Sequence, residues 1–286
     1  MMNNPTYQEA LNWASSFIQT NQDVDPTAPE YLLSMEHDWN STQIILHRND
    51  VMIDFEFEIF KAQVERLMQN EPAQYIVGRA PFYGRTFTVN QNVLIPENET
   101  EELIEWVLNE HSEAPLKVLD LGTGSGVIGI TLKLERPNWS VVASDVSESA
   151  LAVAELNADD LGADVSFVHS DLFTDLNNEK FDLIVSNPPY IGDDEKADMD
   201  KSVLEYVPHL ALFADHQGLA IYERIFSELT SQLTPHGELF AETGYGQEKA
   251  MQVLTHRILP KAKIQTKHDI NDQMRMIKIS DLNESD

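Results

Sequence analysis

The residues best suited to chemistry in this chain are Asn187-Pro188-Pro189-Tyr190, which follow the apolar run Phe181–Ser186. Such a run predicts a buried parallel strand, and two consecutive prolines must end it. Proline fixes φ at about −65° and lacks an N–H donor, so the loop is stiff and rich in acceptors. Its amide, carbonyls and aromatic ring suit a planar target with two N–H bonds, such as an amide or an exocyclic amine. Taken alone, the residues are equally consistent with a plain strand followed by a Pro-Pro turn.

A glycine-rich stretch, Gly122-Thr123-Gly124-Ser125-Gly126, follows another predicted strand and begins a helix. Glycines at this place allow a tight turn and let a ligand approach the backbone closely. The G-x-G-x-G spacing differs from the dinucleotide pattern G-x-G-x-x-G, and no Walker lysine follows it. The stretch is weak evidence by itself, because many glycine-rich loops are only turns.

Acidic residues end the next two predicted strands. Asp145 comes about 20 residues after the glycine loop, where a carboxylate can accept hydrogen bonds from ribose hydroxyls. Its alternative role is the N-cap of the following helix, which Ser147 can also fill. Asp171 precedes the apolar Leu172, and a carboxylate beside apolar groups suits an adenine amine. Four strand ends thus supply a glycine loop, two acids and Asn187, which favours a nucleoside-cofactor site over four independent turns.

From residue 117 onward the sequence alternates between short strands and helices, the pattern of a parallel α/β sheet. Ligands bind outside the carboxyl ends of such strands, so the four loops should meet at one edge of the sheet. The predicted strands are 118–121, 141–144, 165–169, 181–186, 238–243 and 274–279, with a weaker one near Ile264. The predicted helices include 100–108, 148–157, 219–233 and 247–258.

The first part of the chain is predicted to be helical. A capping-box start, Thr6-Tyr7-Gln8-Glu9, precedes apolar residues at helical spacing, and further helices are expected at 31–35, 42–47 and 55–67. The aromatic segment 82–89 and the short run 93–95 are predicted to pair as a β-hairpin. We therefore expect a helical domain at 1–73, a β-hairpin linker at 74–96 and an α/β domain at 97–286.

The composition is ordinary for a globular protein except for its charge. Of the 286 residues 42% are hydrophobic, while the net charge is −29 and the pI is near 4.4. A phosphate backbone needs a basic footprint, so this charge argues against a nucleic-acid substrate. It is compatible with a partner that has a basic surface, or with an acidic surface that favours solubility.

Targeting and metal-binding signals are not found in the sequence. There is no cysteine, the N-terminus lacks a secretory pattern, and no run of about 18 apolar residues occurs. We therefore expect a cytoplasmic protein with no membrane segment, no direct nucleic-acid partner and no metal.

The glycine loop together with residues 187–190 resembles the class I S-adenosylmethionine-dependent methyltransferases that act on amide or exocyclic nitrogens. The wider sequence is similar to the HemK/PrmC family of peptide-chain-release-factor glutamine methyltransferases. The similarity is carried by Glu71-Pro72-Ala73-Gln74-Tyr75-Ile76-Val77-Gly78, Leu94-Ile95-Pro96 with Glu99-Thr100-Glu101, Ala211-Leu212, Glu242-Thr243-Gly244 and Asp272-Gln273-Met274-Arg275. The Asn-Pro-Pro-Tyr motif is shared with DNA adenine and some ribosomal RNA methyltransferases, so segment 71–101 is what selects this family.

This resemblance implies a Rossmann-like class I methyltransferase fold, with a mostly parallel seven-stranded sheet and a small N-terminal helical domain for substrate recognition. It implies S-adenosyl-L-methionine as cofactor, S-adenosyl-L-homocysteine as product and class I peptide chain release factors as partners. The implied reaction is methylation of the side-chain nitrogen of the glutamine in a Gly-Gly-Gln loop.

The resemblance also implies a role for each site residue. The catalytic residues would be Asn187, Pro188 and Tyr190: the Asn187 side-chain oxygen and the Pro188 carbonyl accept from the target amide, and Tyr190 packs on its plane. Pro189 would complete the substrate-binding set. The implied cofactor-binding residues are Gly122, Thr123, Gly124, Ser125, Gly126, Asp145, Val146, Asp171, Leu172 and Asn187.

Two positions depart from the family pattern and keep other functions open. Glu97-Asn98 stands where Arg-Pro is usual, and Val207 stands where a glutamate is common. One alternative is a nitrogen methyltransferase acting on nucleic acid bases, which the net charge disfavours. The other is a cofactor-binding protein that has lost turnover, which these two departures leave possible.

Overall fold

In a computed structural model, which describes residues 4–176 and 179–282 and only the backbone of Asp198, the predicted alternation of strands and helices is confirmed. The helices among these residues are α1 (Tyr7–Ile18), α2 (Ala28–His37), α3 (Ser41–His47), α4 (Asp54–Leu67), α5 (Ala73–Val77), α6 (Asn98–Glu110), α7 (Val127–Glu135), α8 (Glu148–Leu161), α9 (Lys201–Tyr206), α10 (His209–Leu212), α11 (Asp215–Gly218), α12 (Ala220–Gln232) and α13 (Glu248–Ile258). The strands are β1 (Arg79–Phe82), β2 (Arg85–Thr88), β3 (Lys117–Leu121), β4 (Ser140–Asp145), β5 (Val165–His169), β6 (Phe181–Ser186), β7 (Leu233–Glu242), β8 (Lys263–His268) and β9 (Met274–Ser280). A 3₁₀ helix occupies Asp193–Asp198.

The described residues group into two compact units. One is helical and contains the chain up to residue 79 together with 89–91 and 198–207. The other contains residues 80–88, 92–197 and the chain from 208 onward, and it holds the large sheet. Among the described residues the helical unit buries one apolar cluster and the sheet-containing unit buries two.

The helical unit forms because its helices share an apolar core. The Thr6 hydroxyl accepts a hydrogen bond from the Glu9 N–H and the Glu9 carboxylate accepts from the Thr6 N–H, so the predicted capping box is confirmed. Fully buried side chains from α2 and α4, such as Leu32 and Phe60, meet those of α1 in one cluster. Helix α2 begins before the predicted start, because Pro29 in its first turn already has a helical φ.

The β-hairpin is present, but the predicted pairing of 82–89 with 93–95 is wrong. The hairpin joins β1 to β2, and its turn is Tyr83-Gly84. Both turn residues have positive φ, 48° and 72°, as the two-residue turns best suited to hairpins require. Residues 93–95 belong to no strand. The turn was missed because Gly84 lies inside an aromatic run that was interpreted as one strand.

Seven strands form one sheet in the order β5-β4-β3-β6-β7-β9-β8. Each pairing among β3, β4, β5, β6 and β7 is parallel, while β9 is antiparallel to both β7 and β8. The predicted mostly parallel seven-stranded sheet is therefore confirmed. The chain leaves β3 toward β4 on one side and leaves β6 toward β7 on the other. The crevice between the carboxyl ends of β3 and β6 is thus the topological switch point, where open α/β sheets bind ligands.

Strand β6 lies in the middle of the sheet, and its apolar run is buried on both faces because helices cover both. Phe181 and Ile184 pack in one apolar cluster, whereas Leu183 and Val185 pack in the other. All four side chains are fully buried. A nearly continuous apolar run is what a strand buried on both faces requires. This strand places the following loop at the edge of a rigid sheet.

Candidate active site

A cavity of about 360 Å³ opens at the carboxyl ends of β3, β4 and β6. This volume lies within the range of small-molecule sites, roughly 300–1,000 Å³. The predicted site residues that line it are Gly122, Thr123, Gly124, Ser125, Asp145, Val146, Asp171, Leu172, Asn187, Pro188 and Pro189. The four strand-end loops selected from the sequence are therefore brought together, as expected for parallel strands. Gly126 and Tyr190 do not line this cavity.

The glycine loop presents its backbone to the cavity. Gly122 and Gly124 have φ of +75° and +56°, and no atom lies within 4 Å of the place where a Cβ would stand. The Gly122 and Thr123 N–H groups donate to the Ser144 carbonyl at 2.8 and 2.9 Å, which ties the loop to the end of β4. Gly126 differs, because a Cβ there would lie 2.7 Å from Ile130 Cδ1. Gly126 thus allows close packing beneath the loop.

Asp145 is oriented by two backbone groups. Its Oδ2 accepts from the Gly124 N–H and its Oδ1 accepts from the Ser147 N–H, each at 2.9 Å. The N-cap of α8 is Ser147, whose hydroxyl accepts from the Ala150 N–H, so Asp145 does not serve that alternative role. A carboxylate has about four acceptor positions, and two remain for a ligand.

Asp171 forms an ion pair with an arginine at the cavity wall. Its Oδ1 lies 2.9 Å from Arg224 Nη2, and both side chains line the cavity with about half of their surface exposed. Leu172 has φ of +52°, a strained conformation for a branched residue, and its carbonyl accepts from the Ser170 hydroxyl at 2.7 Å. Arg224 was not identified from the sequence, because it lies on α12, more than 50 residues from its partner.

The loop 187–190, which we name the catalytic loop, carries two acceptors that no described residue uses. Asn187 donates from Nδ2 to Thr100 Oγ1 at 3.1 Å, while its Oδ1 accepts no hydrogen bond from the described residues. The Pro188 carbonyl likewise accepts none from that part of the chain. Tyr190 lies against the apolar core, and its hydroxyl donates to Glu242 Oε1 at 3.1 Å.

Contacts on the far side of the catalytic loop hold it in place. Gln247 Nε2 donates to the Tyr190 carbonyl at 2.9 Å, and Ile191 exchanges backbone hydrogen bonds with the segment 212–214. Gly218 approaches so closely that a Cβ there would lie 1.8 Å from the carbonyl oxygen of Tyr190. Rigid support of this kind is what a site that works by positioning needs.

Two buried carboxyl groups support the site from beneath. Asp120, fully buried, accepts from the Thr123 hydroxyl and from the Gly129 N–H, and so fixes the glycine loop. Burial raises the pKa of Asp120 to about 7. Burial, reinforced by Glu97, likewise raises the pKa of Glu242 to about 7. Neither residue was identified as a site residue from the sequence.

Segments outside the strand ends complete the cavity. Leu94, Pro96, Glu97 and Thr100 line it, as do Pro208 and Leu210. Residues 93–95 were interpreted as a strand, which hid their position at the cavity. Glu97, one of the departures from the family pattern, faces the cavity, and burial together with Glu99 raises its pKa. The other departure, Val207, is buried in the helical unit.

No group of three or more His, Cys, Asp or Glu residues in ranges 4–176 and 179–282 is arranged to hold a metal ion. Within the same ranges, no helix has the length and apolar character needed to cross a membrane.

Family models and relatives identify the two parts of the chain. Residues 9–78 match the PrmC N-terminal domain, and residues 98–207 match the methyltransferase small domain. The release factor glutamine methyltransferase of Enterococcus faecalis is 42% identical over 270 residues, which cover 94% of this chain and 97% of that protein. The chain belongs to the release factor glutamine methyltransferase family. The release factor glutamine methyltransferases of Lactococcus lactis and Bacillus subtilis are also similar to this chain. The first is 42% identical over 89% of this chain and 94% of that protein, and the second is 37% identical over 95% and 96%.

Solved structures of other methyltransferases share the fold of this chain. The hMettl16 catalytic domain in complex with the MAT2A 3'UTR hairpin 1 has a TM-score of 0.57 at 15% identity, covering 91% of this chain and 93% of that chain. A methyltransferase from Pyrococcus furiosus has a TM-score of 0.54 at 15% identity, covering 77% and 98%. The predicted fold class and the predicted family are both confirmed, and the chain is a methyltransferase.

Proposed function

We propose that this protein transfers a methyl group from S-adenosyl-L-methionine to the side-chain amide nitrogen of the glutamine in the Gly-Gly-Gln loop of a class I peptide chain release factor. The observation that carries the proposal is the pair of unused acceptors, Asn187 Oδ1 and the Pro188 carbonyl, at the switch-point cavity. A primary amide has two N–H donors, so one target fits both acceptors. The names of the curated relatives support the choice of a release factor.

The cavity residues fit the proposed cofactor. Gly122 and Gly124 leave open space over their α-carbons, which lets a ligand approach the loop backbone. Asp145 keeps free acceptor positions for ribose hydroxyls, and Asp171 with Leu172 offers an acceptor beside an apolar surface for adenine. A T. thermophilus 16S rRNA N2 G1207 methyltransferase solved with AdoMet and guanosine shares the fold, with a TM-score of 0.50 at 18% identity over 71% of this chain and 49% of that one.

The mechanism asks the chain mainly to position the target. An amide nitrogen is a poor nucleophile because its lone pair is delocalised, whereas S-adenosylmethionine supplies a strongly electrophilic methyl group when bound. Orientation of two reactants contributes up to about 7–11 kcal/mol relative to free encounter. The Asn187 oxygen and the Pro188 carbonyl would hold the two N–H groups and stabilise the positive charge that develops on nitrogen. Pro189, which lines the cavity beside them, would complete the substrate contacts.

The contribution of Tyr190 is proposed to be indirect as well as direct. Its ring packs against the apolar core and its hydroxyl is bonded to Glu242, which fixes the end of the catalytic loop. Stacking on the target amide stays a prediction. Gly126 and Val146 complete the proposed cofactor set, the first by close packing under the loop and the second at the cavity wall.

The proposed domain roles follow the family match. We propose that residues 1–73 recognise the release factor, that 74–96 is the linker and that 97–286 is the catalytic domain. The proposed location is the cytoplasm, where release factors act on ribosomes. Neither a nucleic acid nor a membrane is proposed as a partner, because the net charge of −29 opposes binding to a phosphate backbone.

Methyl incorporation separates this function from its rivals. Purified protein and labelled S-adenosylmethionine would be incubated with release factor, with the same factor carrying alanine in place of the target glutamine, and with DNA. We expect label only in the unmodified release factor. Label in DNA would favour a base methyltransferase, and cofactor binding without any transfer would favour a non-catalytic protein.

A further inference from the structure

The Asn187 carboxamide is the start of a hydrogen-bonded chain that ends at a buried carboxylate. Asn187 Nδ2 lies 3.1 Å from Thr100 Oγ1, and Thr100 Oγ1 lies 2.7 Å from Glu242 Oε2. Thr100 is in the first turn of α6 and is buried, and Glu242 is the last residue of β7 and has no exposed surface. Helix α6, strand β7 and the catalytic loop, all in the unit that holds the large sheet, therefore meet at the side of Asn187 that does not carry the unused oxygen.

The chain has a direction because each group has a limited number of protons. The Thr100 hydroxyl has a single proton, which it donates to Glu242, so toward Asn187 it can only accept. The Asn187 atom that faces Thr100 must then be the donor Nδ2, which leaves Oδ1 for the target. Glu242 also accepts from the Tyr190 hydroxyl through Oε1, and its backbone carbonyl accepts from the Tyr222 hydroxyl. An ionised carboxylate is acceptor-only, which matches this arrangement.

We propose that Thr100 and Glu242 are positioning residues that fix the orientation of the Asn187 carboxamide, so that its oxygen and not its NH₂ group faces the target nitrogen. The inference rests on the proposed function, since it concerns the acceptor for a target N–H. With the opposite orientation, the Asn187 NH₂ group would meet another donor, and the target amide would lose its acceptor.

The protonation of Glu242 decides whether this direction is kept. A protonated Glu242 can donate to Thr100, which frees the Thr100 proton to bond Asn187 Oδ1 and reverses the carboxamide. The groups acting on Glu242 are Thr100 from α6, Tyr190 from the catalytic loop, Tyr222 from α12, Glu97 from the segment before α6 and Arg275 from β9. Burial and Glu97 raise the pKa of Glu242 to about 7, against the opposing effects of Thr100, Tyr190 and Arg275.

Threonine variants test the role of the hydroxyl. Thr100→Val keeps the shape but removes the hydroxyl, and Thr100→Ser keeps the hydroxyl. We expect Thr100→Val to lower kcat about 10- to 10²-fold with little change in KM for the release factor or in cofactor affinity, because the target is bound but misaligned. Thr100→Ser should stay within about threefold of wild type. The matched control is Thr255→Val, since Thr255 is equally buried but its hydroxyl has no hydrogen-bond partner among the described residues.

The pH profile supplies a readout that a merely structural role would not change. In wild type, Thr100→Ser and Thr255→Val, kcat should fall as the pH drops through about 7. In Thr100→Val and Glu242→Gln this fall should be absent. Thr100→Val with wild-type kcat and an unchanged pH profile would overturn the proposal, as would Thr100→Ser that is as slow as Thr100→Val while both remain folded.

A second measurement does not need turnover. The side-chain amide resonance of Asn187 in isotope-labelled protein, assigned by its loss in Asn187→Ala, should shift with pH about a midpoint near 7 in wild type but not in Thr100→Val. If wild type does not methylate a release factor, the proposed function fails, and this resonance still decides the proposal about Thr100 and Glu242. A resonance that titrates identically in wild type and Thr100→Val would refute it.

Discussion

Replacing Asn187 with alanine should separate turnover from cofactor binding. The substitution removes the unused Oδ1 acceptor but leaves the glycine loop and the Gly124–Asp145 hydrogen bond, in which Asn187 takes no part. Loss of one preorganised transition-state partner costs about 10²–10³-fold in kcat, or about 2.7–4 kcal/mol. The lost hydrogen bond to Thr100 should lower the free energy of unfolding by only about 1 kcal/mol. We therefore expect a folded variant that binds cofactor almost normally and turns over poorly.

Two further substitutions at this position sharpen the test. Asn187→Asp keeps an acceptor but cannot donate to Thr100 and adds a charge near Glu242, so partial activity is expected. Asn187→Gln keeps the chemistry but moves it by a methylene, and misplacement of about 1 Å can cost about 10²-fold. Single-turnover methylation of release factor and calorimetric titration of the cofactor would give the two quantities for each variant. An alanine variant with wild-type turnover, or one whose cofactor affinity falls as much as its turnover, would refute the reasoning.

Three other perturbations address the supports of the site. Asp145→Ala should weaken cofactor binding by about 1.5–3 kcal/mol in calorimetric titration, whereas the exposed Asp160→Ala should not, and equal affinities would remove Asp145 from the site. Burial raises the pKa of Glu242 from 4.5 to about 7, so the folded state holds a proton that the unfolded state releases and stability falls as the pH rises across this window. In urea unfolding, the free energy of unfolding of Glu242→Gln should therefore rise by up to about 3 kcal/mol relative to that of wild type as the pH increases from about 5 to about 8. A difference that stays constant over this range would contradict the assigned pKa shift. Gly218→Ala should destabilise the chain by more than about 3 kcal/mol, because its Cβ would meet a backbone carbonyl of the catalytic loop at 1.8 Å. In the control Gly162→Ala only the positive φ opposes the new side chain, so about 1 kcal/mol is expected, and similar losses in the two variants would show that the close approach is unimportant.

The strand ends were predictable because each carries its own local signal. A buried parallel strand needs a short, mostly apolar run, and Gly122, Asp145 and Asn187 each come at the end of such a run. Parallel topology then brings their loops together whatever the lengths of the intervening helices. The sequence patterns thus predicted that the glycine loop, Asp145 and Asn187 lie at one edge of the sheet, and all of these residues except Gly126 line the cavity. Their roles in binding and catalysis stay predictions.

The supporting residues could not be predicted in the same way, because their partners are distant in sequence. Thr100 bonds Glu242 across 142 positions, and Asp171 meets Arg224 across the whole of β6 and its following loop. Thr100 and Glu242 lie in segments that carry the family resemblance, but a segment match does not say which distant residue a side chain contacts. Arg224 lies in no such segment. The hairpin failed for a different reason, since Gly84 lies within a run whose aromatic and β-branched residues suggested one long strand.

The buried carboxamide of Asn157 bears on where a truncated fragment containing the large sheet should begin. Asn157, on α8, accepts from the Thr88 N–H at 2.7 Å and donates to the Thr88 carbonyl at 3.0 Å and to the Ser125 carbonyl at 2.8 Å. A fragment that begins at residue 97 would lose β2, so two of these bonds would vanish directly beside the glycine loop. A fragment that begins at residue 80 would keep them. A fragment that keeps all three hydrogen bonds must therefore include Thr88, which lies ahead of residue 98, where the match to the methyltransferase small domain begins.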